Sequence, residues 1–119
     1  MAYTLMKNRD GVFVSPDDAS FKAAAAGADW SKSFYQLITD QPGKDAWPIS
    51  TATFILMHLK QDKPAQATET FRFFSWAFKS GDAIAAELDY VPMPDAVVVA
   101  IEKIWSQVTD ASGKPVASK

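Results

Sequence analysis

Strand-favouring residues open the chain from Ala2 to Met6 and return at Val12-Phe13-Val14, with Asn8-Arg9-Asp10-Gly11 between them. An Asp-Gly pair between two such runs predicts a hairpin, because glycine takes up positive φ at little cost. Ser15-Pro16-Asp17-Asp18 then predicts a helix start: a Ser15 hydroxyl to cap a free N–H, proline at the first helical position, and two aspartates at the positive end of the dipole. Ala23 to Ala26 favour helix and Gly27 stops it, which sets the element at about Pro16–Ala26. Phe34, Leu37 and Ile38 have i, i+3, i+4 spacing and predict a short second helix, broken at Gln41-Pro42-Gly43-Lys44. Trp47-Pro48 reads as extended chain.

The run Thr51 to Leu59 is dense in apolar and β-branched residues without strict alternation. That is the pattern of a central strand covered on both faces. Pro64 opens a long helix that continues to about Lys79. Ala67, Phe71, Phe74 and Phe78 form one stripe, and Phe73, Trp76 and Ala77 form another beside it. An ordinary surface helix has one apolar stripe, so this one wants cover on more than one side. Asp82 to Leu88 predicts a short helix. The last helix runs from about Pro94 to Val108, with Val97, Ile101, Ile104, Trp105 and Val108 on its buried face. Thr109–Lys119 is polar, contains Gly113 and Pro115, and is expected to contribute little.

At 119 residues there is room for one domain, and 48% hydrophobic with 22% charged residues is ordinary for a folded protein. The net charge of −2 is spread evenly, with five basic and six acidic groups in residues 1–50 and seven and eight in the remainder. A nucleic-acid or anionic-membrane binder would show a basic face, and none is visible. No apolar run reaches the roughly 18 residues of a membrane span. The absence of cysteine removes disulfides, thiolate metal sites and a cysteine nucleophile. Met1-Ala2-Tyr3-Thr4 has no basic region followed by an apolar stretch, so no signal peptide is read there.

Reactive groups are sparse. His58 is the only histidine and falls inside the apolar run, where a structural role is expected; a metal site would need further ligands. Asp17 and Asp18 could be paired carboxylates, but a helix start uses them as dipole partners. Asp82, Glu87 and Asp89 read as solvated surface groups. Ser50, Thr51 and Thr53 could offer hydroxyls to an oxyanion, yet they feed a strand and not a helix N-terminus. Of the four tryptophans, Trp76 and Trp105 sit on apolar helix faces and are expected in the core, while Trp30 and Trp47 lie in irregular chain. No phosphate loop, nucleophile elbow or calcium loop is present. An enzyme, including a hydrolase, is not expected: no catalytic residue, no metal ligand and no cofactor is assigned.

Several segments carry a resemblance. Gly27-Ala28-Asp29-Trp30-Ser31-Lys32, then Asp45-Ala46-Trp47-Pro48-Ile49 leading into Thr53-Phe54-Ile55-Leu56, resemble the C-terminal third of the periplasmic phosphate-binding protein of bacterial phosphate ABC importers. Phe73–Gly81 is similar to that family's penultimate helix, Leu88–Pro94 to the loop before its last helix, and Ser112-Gly113-Lys114-Pro115 to its tail. The five segments occur in the family's order across roughly Ala2 to Val116.

The resemblance implies an α/β (or α+β) fold, helix-rich with few strands, as a C-terminal fragment of a two-lobed binding protein. Residues 1–44 would end the second lobe, 45–50 would cross between lobes, 51–108 would end the first lobe, and 109–119 would be a polar tail. It further implies phosphate as ligand of the full-length parent, membrane permease subunits as its partners, and a periplasmic location. The family's phosphate ligands lie outside this segment, so no phosphate-binding residue is assigned. Arg9 and Arg72, the two arginines, match no phosphate loop, and Arg72 is expected on the exposed side of its helix. The isolated chain is expected to form a homo-oligomer through its uncovered apolar faces. The alternative reading is a self-associating or partner-binding structural module on the same scaffold.

Overall fold

The structure is a computed structural model that describes residues 2–117. Two short strands, β1 (Met6–Lys7) and β2 (Phe13–Val14), pair antiparallel with Met6 opposite Val14 and Lys7 opposite Phe13. The turn between them contains Gly11 at φ 82°, the conformation for which the Asp-Gly pair was expected. Four helices follow: α1 (Asp18–Gly27), α2 (Pro64–Ser80), α3 (Asp82–Glu87) and α4 (Asp95–Trp105). The described residues are thus helix-rich with two strands, the fold class expected from the sequence.

Helix α1 is capped by Asp17 and not by Ser15. The Asp17 carboxylate accepts from the Ser20 amide at 2.9 Å, and the Ser20 hydroxyl accepts from the Asp17 amide at 3.1 Å. This reciprocal pair satisfies two groups that a helix start otherwise leaves open, and a charged acceptor does so better than a hydroxyl. Ser15 instead offers its carbonyl to the Ser20 hydroxyl. At the other end, a Cβ on Gly27 would lie 2.7 Å from the Pro42 carbonyl oxygen. Glycine is needed there for close approach of the loop after Leu37 as much as for ending the helix.

The chain packs around two centres. The first joins α1 to residues 38–50: Ala24, Ala25, Ala28, Ile38, Ala46 and Trp47 are buried, and Trp47 meets Phe21 edge-on at 6.1 Å. The second joins α2 to the end of the chain through Ala67, Phe71, Val108 and Val116, with Met57 and Trp105 against them. The molecule measures 52 × 30 × 18 Å, and its radius of gyration is 16.6 Å. A compact chain of this length would have about 13.5 Å.

Four expectations are corrected. The Phe34–Ile38 segment is not a helix; only Ile38 of its apolar residues is buried, while Leu37 stands 73% exposed. Three apolar residues in two turns do not supply the packing that a short helix needs in water. Residues 51–59 form no strand among the described residues, and Leu56 is 92% exposed. Apolar pattern reports what a segment requires, whereas a strand exists only when a neighbour accepts its hydrogen bonds. The last helix ends at Trp105, and Ile104 lies at the surface while Val108 is buried beyond the helix. The tail is not idle: Val116 is buried, its amide donates to the Val108 carbonyl at 3.0 Å, and its carbonyl accepts from the Thr68 hydroxyl at 2.8 Å. Ser118 and Lys119 lie outside the described residues.

Candidate functional site

Asn8 is the most heavily engaged polar side chain of the N-terminal half. Its amide nitrogen donates to the carbonyls of Gly43 (3.1 Å), Lys44 (2.8 Å) and Ala46 (3.3 Å). Its carbonyl oxygen accepts from the amides of Asp10 (3.1 Å) and Val12 (3.0 Å). One buried side chain therefore closes the hairpin turn and ties it to the segment before Trp47. The sequence marks Asn8 only as part of the turn. Its asparagine chemistry, with donors and acceptor both usable against backbone, was the available signal.

The hydroxyls read as oxyanion candidates do not converge. Ser50 is buried and donates to the Trp47 carbonyl at 3.1 Å, while Thr51 and Thr53 are exposed. Arg9 is exposed in the hairpin turn, and Arg72 pairs with Glu69 at 2.6 Å on the exposed side of α2. His58 is exposed, contrary to its expected place inside a covered strand. It borders a hollow of about 310 Å³ with Met57, Lys60, Gln61 and Lys63 at the start of α2. His58, Lys60 and Lys63 all face water, so the hollow offers no desolvated donor set.

A larger cleft of about 520 Å³ separates α1 from α3 and the chain that follows it. Asp17, Asp18, Asp82 and Asp89 line it, with Lys22 as the one cation. The hydrogen bond that Lys22 donates to the Asp18 carboxylate, at 2.8 Å, raises the Lys22 pKa above the usual lysine value, and desolvation opposes the shift. Four carboxylates against one ammonium make this cleft repulsive to an anion. Glu87, the other acid read as solvated, is exposed. Asp29 and Asp110 hold their carboxyls below the ordinary range through the hydroxyls of Ser31 and Ser112 and nearby amides; both are local turn devices.

The tryptophans divide differently from expectation. Trp47 is buried, and Trp30 donates from its indole to the Ala25 carbonyl at 2.7 Å while lying 6.0 Å from Phe34. Both are packing residues. Trp105 is half-buried between Phe71 and Phe78, at 5.0 and 6.2 Å. Trp76, expected in the core, is 51% exposed beside Phe73, itself 56% exposed. The two stripes of α2 are thus real, but only the first is covered. Among the described residues no three metal-ligating side chains come together.

Comparison with known proteins finds relatives among phosphate-binding proteins. The chain is 40% identical over 117 residues to the phosphate-binding protein PstS of Pasteurella multocida, covering 96% of this chain and 34% of that protein. It is 44% identical over 108 residues to the PstS of Xylella fastidiosa, covering 89% and 30%. With the PstS of Haemophilus influenzae the identity is 39% over 107 residues, covering 88% and 32%. The family that the sequence motifs resemble is the one these relatives carry in their name. The chain spans about a third of the length of the curated relatives it matches. No protein-family model matches it.

Proposed function

We propose that this chain is the C-terminal portion of the substrate-binding component of a phosphate importer, a periplasmic protein working with membrane permease subunits, and not an enzyme. The observation that supports the reading is identity of 39–44% to phosphate-binding proteins along nearly the whole chain. In this reading residues 1–44 end the second lobe, 45–50 cross, 51–108 end the first lobe, and 109–119 form its tail. The ligands for phosphate belong to the part of such a protein that this chain does not cover.

The 119-residue chain by itself is therefore expected not to bind inorganic phosphate at micromolar concentration. Capturing a desolvated anion requires several convergent donors, and an anion left partly unpaired costs several kcal/mol. Here Ser50 is committed to a carbonyl, Arg72 to Glu69, and the larger of the two clefts described is acidic. Titration calorimetry checks this. A saturable one-to-one isotherm at micromolar or tighter dissociation constant would place ligands inside this segment and overturn that assignment.

By itself the chain is also proposed to self-associate, with a second copy against the Phe73 and Trp76 stripe. Burying one exposed aromatic side chain is worth about 1.5–3 kcal/mol, and that stripe offers two. The molecule exposes 8567 Å², against about 6,300 Å² for a compact monomer of this mass. The surplus exceeds the roughly 800 Å² that each partner of a stable pair contributes. Light scattering behind a sizing column should show a species above 13.0 kDa that grows with concentration. A constant 13.0 kDa mass to high micromolar concentration removes the idea.

A further inference from the structure

We propose that Asp10–Gly11 is a modification site: the Asp10 side chain closes on the Gly11 amide nitrogen and converts the linkage to isoaspartate, at a rate set by Asn8.

Asp10 is the one aspartate of the chain followed by glycine. Every other aspartate precedes a residue with a Cβ, which crowds the amide nitrogen that the carboxyl must reach. At Gly11 that flank is open: a Cβ there would meet only the end of the Lys7 side chain, at 3.7 Å. Both residues are exposed at the tip of the hairpin, so water reaches them. Asn8, the chain's only asparagine, precedes arginine and is buried, so its own side chain offers no comparable site.

The reaction needs no partner but water. In the carboxylic acid form of Asp10, the Gly11 nitrogen bonds to Cγ while the Cγ–OH bond breaks, and the hydroxyl leaves as water with the amide proton. The product is a cyclic succinimide. Water then adds to the former backbone carbonyl carbon of Asp10 and breaks its bond to nitrogen. The chain now runs through Cβ and Cγ, the old carbonyl has become a free carboxylate, and the mass is unchanged.

The folded turn withholds the nucleophile. The Gly11 amide donates to the Asn8 carbonyl at 3.0 Å, and the amides of Asp10 and Val12 donate to Asn8 Oδ1 at 3.1 and 3.0 Å. Those bonds fix the peptide plane between Asp10 and Gly11, and ring closure must turn that plane toward the Asp10 side chain. Asn8 is held in turn by the carbonyls of Gly43, Lys44 and Ala46. The linkage therefore reacts through local opening, as often as the turn comes free of Asn8. Isoaspartate lengthens the backbone inside the turn, so the Gly11 bond to Asn8 and the pairing of Lys7 with Phe13 no longer match. A transient opening becomes a lasting one.

The test holds the 119-residue chain in warm neutral buffer beside a peptide of residues 5–14, the unconstrained reference, and separates the isomers after digestion as peptides of equal mass. Isoaspartate should accumulate at residue 10 in both, about tenfold or more slowly in the chain, because the hydrogen bonds to Asn8 must break before the ring closes. Asn8→Ala should raise the chain's rate about tenfold by removing the side-chain bonds. Asp10→Glu, which would need a larger ring, should abolish the product. Tryptophan fluorescence on the same samples reports whether Asn8→Ala is folded; where it is not, the contrast between the unmodified chain and the peptide decides. A chain without isoaspartate at residue 10, or with more of it at another aspartate, overturns the proposal. So does a chain that reacts as fast as the peptide, or a folded Asn8→Ala that reacts no faster than the original.

Discussion

Asn8→Asp is expected to cost about 4 kcal/mol or more, far beyond what a one-atom change at a surface turn would do. The substitution keeps the acceptor for the amides of Asp10 and Val12 but removes the donor to Gly43, Lys44 and Ala46. Three carbonyl oxygens would then face a carboxylate at the same distances, in a site where Asn8 is only 6% exposed. Leaving a buried polar group unpaired costs about 1–3 kcal/mol, and an unpaired buried charge costs more. Asn8→Ala removes both sets of bonds without adding charge and should cost less than the aspartate. The pH dependence separates the two. Burial against carbonyls raises the folded-state pKa of the introduced carboxyl above its unfolded value, since the neutral acid can donate. The penalty is therefore greatest above that raised pKa and relaxes as pH falls through it. Urea titrations followed by tryptophan fluorescence measure this. A cost below 1 kcal/mol at neutral pH, or one that grows on acidification, would show that Asn8 does not hold the hairpin to the segment before Trp47.

The contrast between Asn8 and residues 51–59 shows what sequence reading could and could not reach. Local signals were legible: the Asp-Gly turn, the start of α1 to within two residues, and α2 beginning at Pro64. Each depends on interactions within a few positions of chain, where residue type constrains geometry directly. The Asn8 clamp reaches 38 positions along the chain to Ala46, and no local pattern encodes that partner. The apolar run was recognised as wanting two covered faces, and it does; what the pattern could not say is whether the cover lies within these residues. The same limit governs Trp76, whose helical position is apolar on paper and half in water in the structure. For the site, Ser50, Thr51, Thr53, Arg9 and Arg72 could be weighed from local pattern alone, and the structure leaves them apart. The acidic cleft was not legible that way, because it forms from α1 and α3, which are separated by more than fifty residues.

Phe71→Ala is expected to cost about 3–5 kcal/mol, while Phe73→Ala, two positions away on the same helix, should cost under about 0.5 kcal/mol. The difference lies wholly in packing. Phe71 is 5% exposed, with its ring 5.0 Å from that of Trp105, and it shares a cluster with Ala67, Val108 and Val116. Removing it opens a cavity at the point where α2, the end of α4 and the tail meet, and the surroundings cannot collapse without moving the backbone of residues 108–116. That backbone is itself held by the Val116 amide on Val108 and the Thr68 hydroxyl on Val116, so relaxation would break hydrogen bonds to close a void. Phe73 is 56% exposed and packs edge-on against Phe74 at 5.2 Å, so its loss removes little from a covered interior. Trp105→Ala should fall between the two, because that ring is half-buried and keeps one side against Phe78. Denaturant melts at concentrations where the chain is monomeric give the ranking. If Phe73→Ala proved as costly as Phe71→Ala there, the second stripe of α2 would be covered within one chain, and the drive to associate through it would be gone.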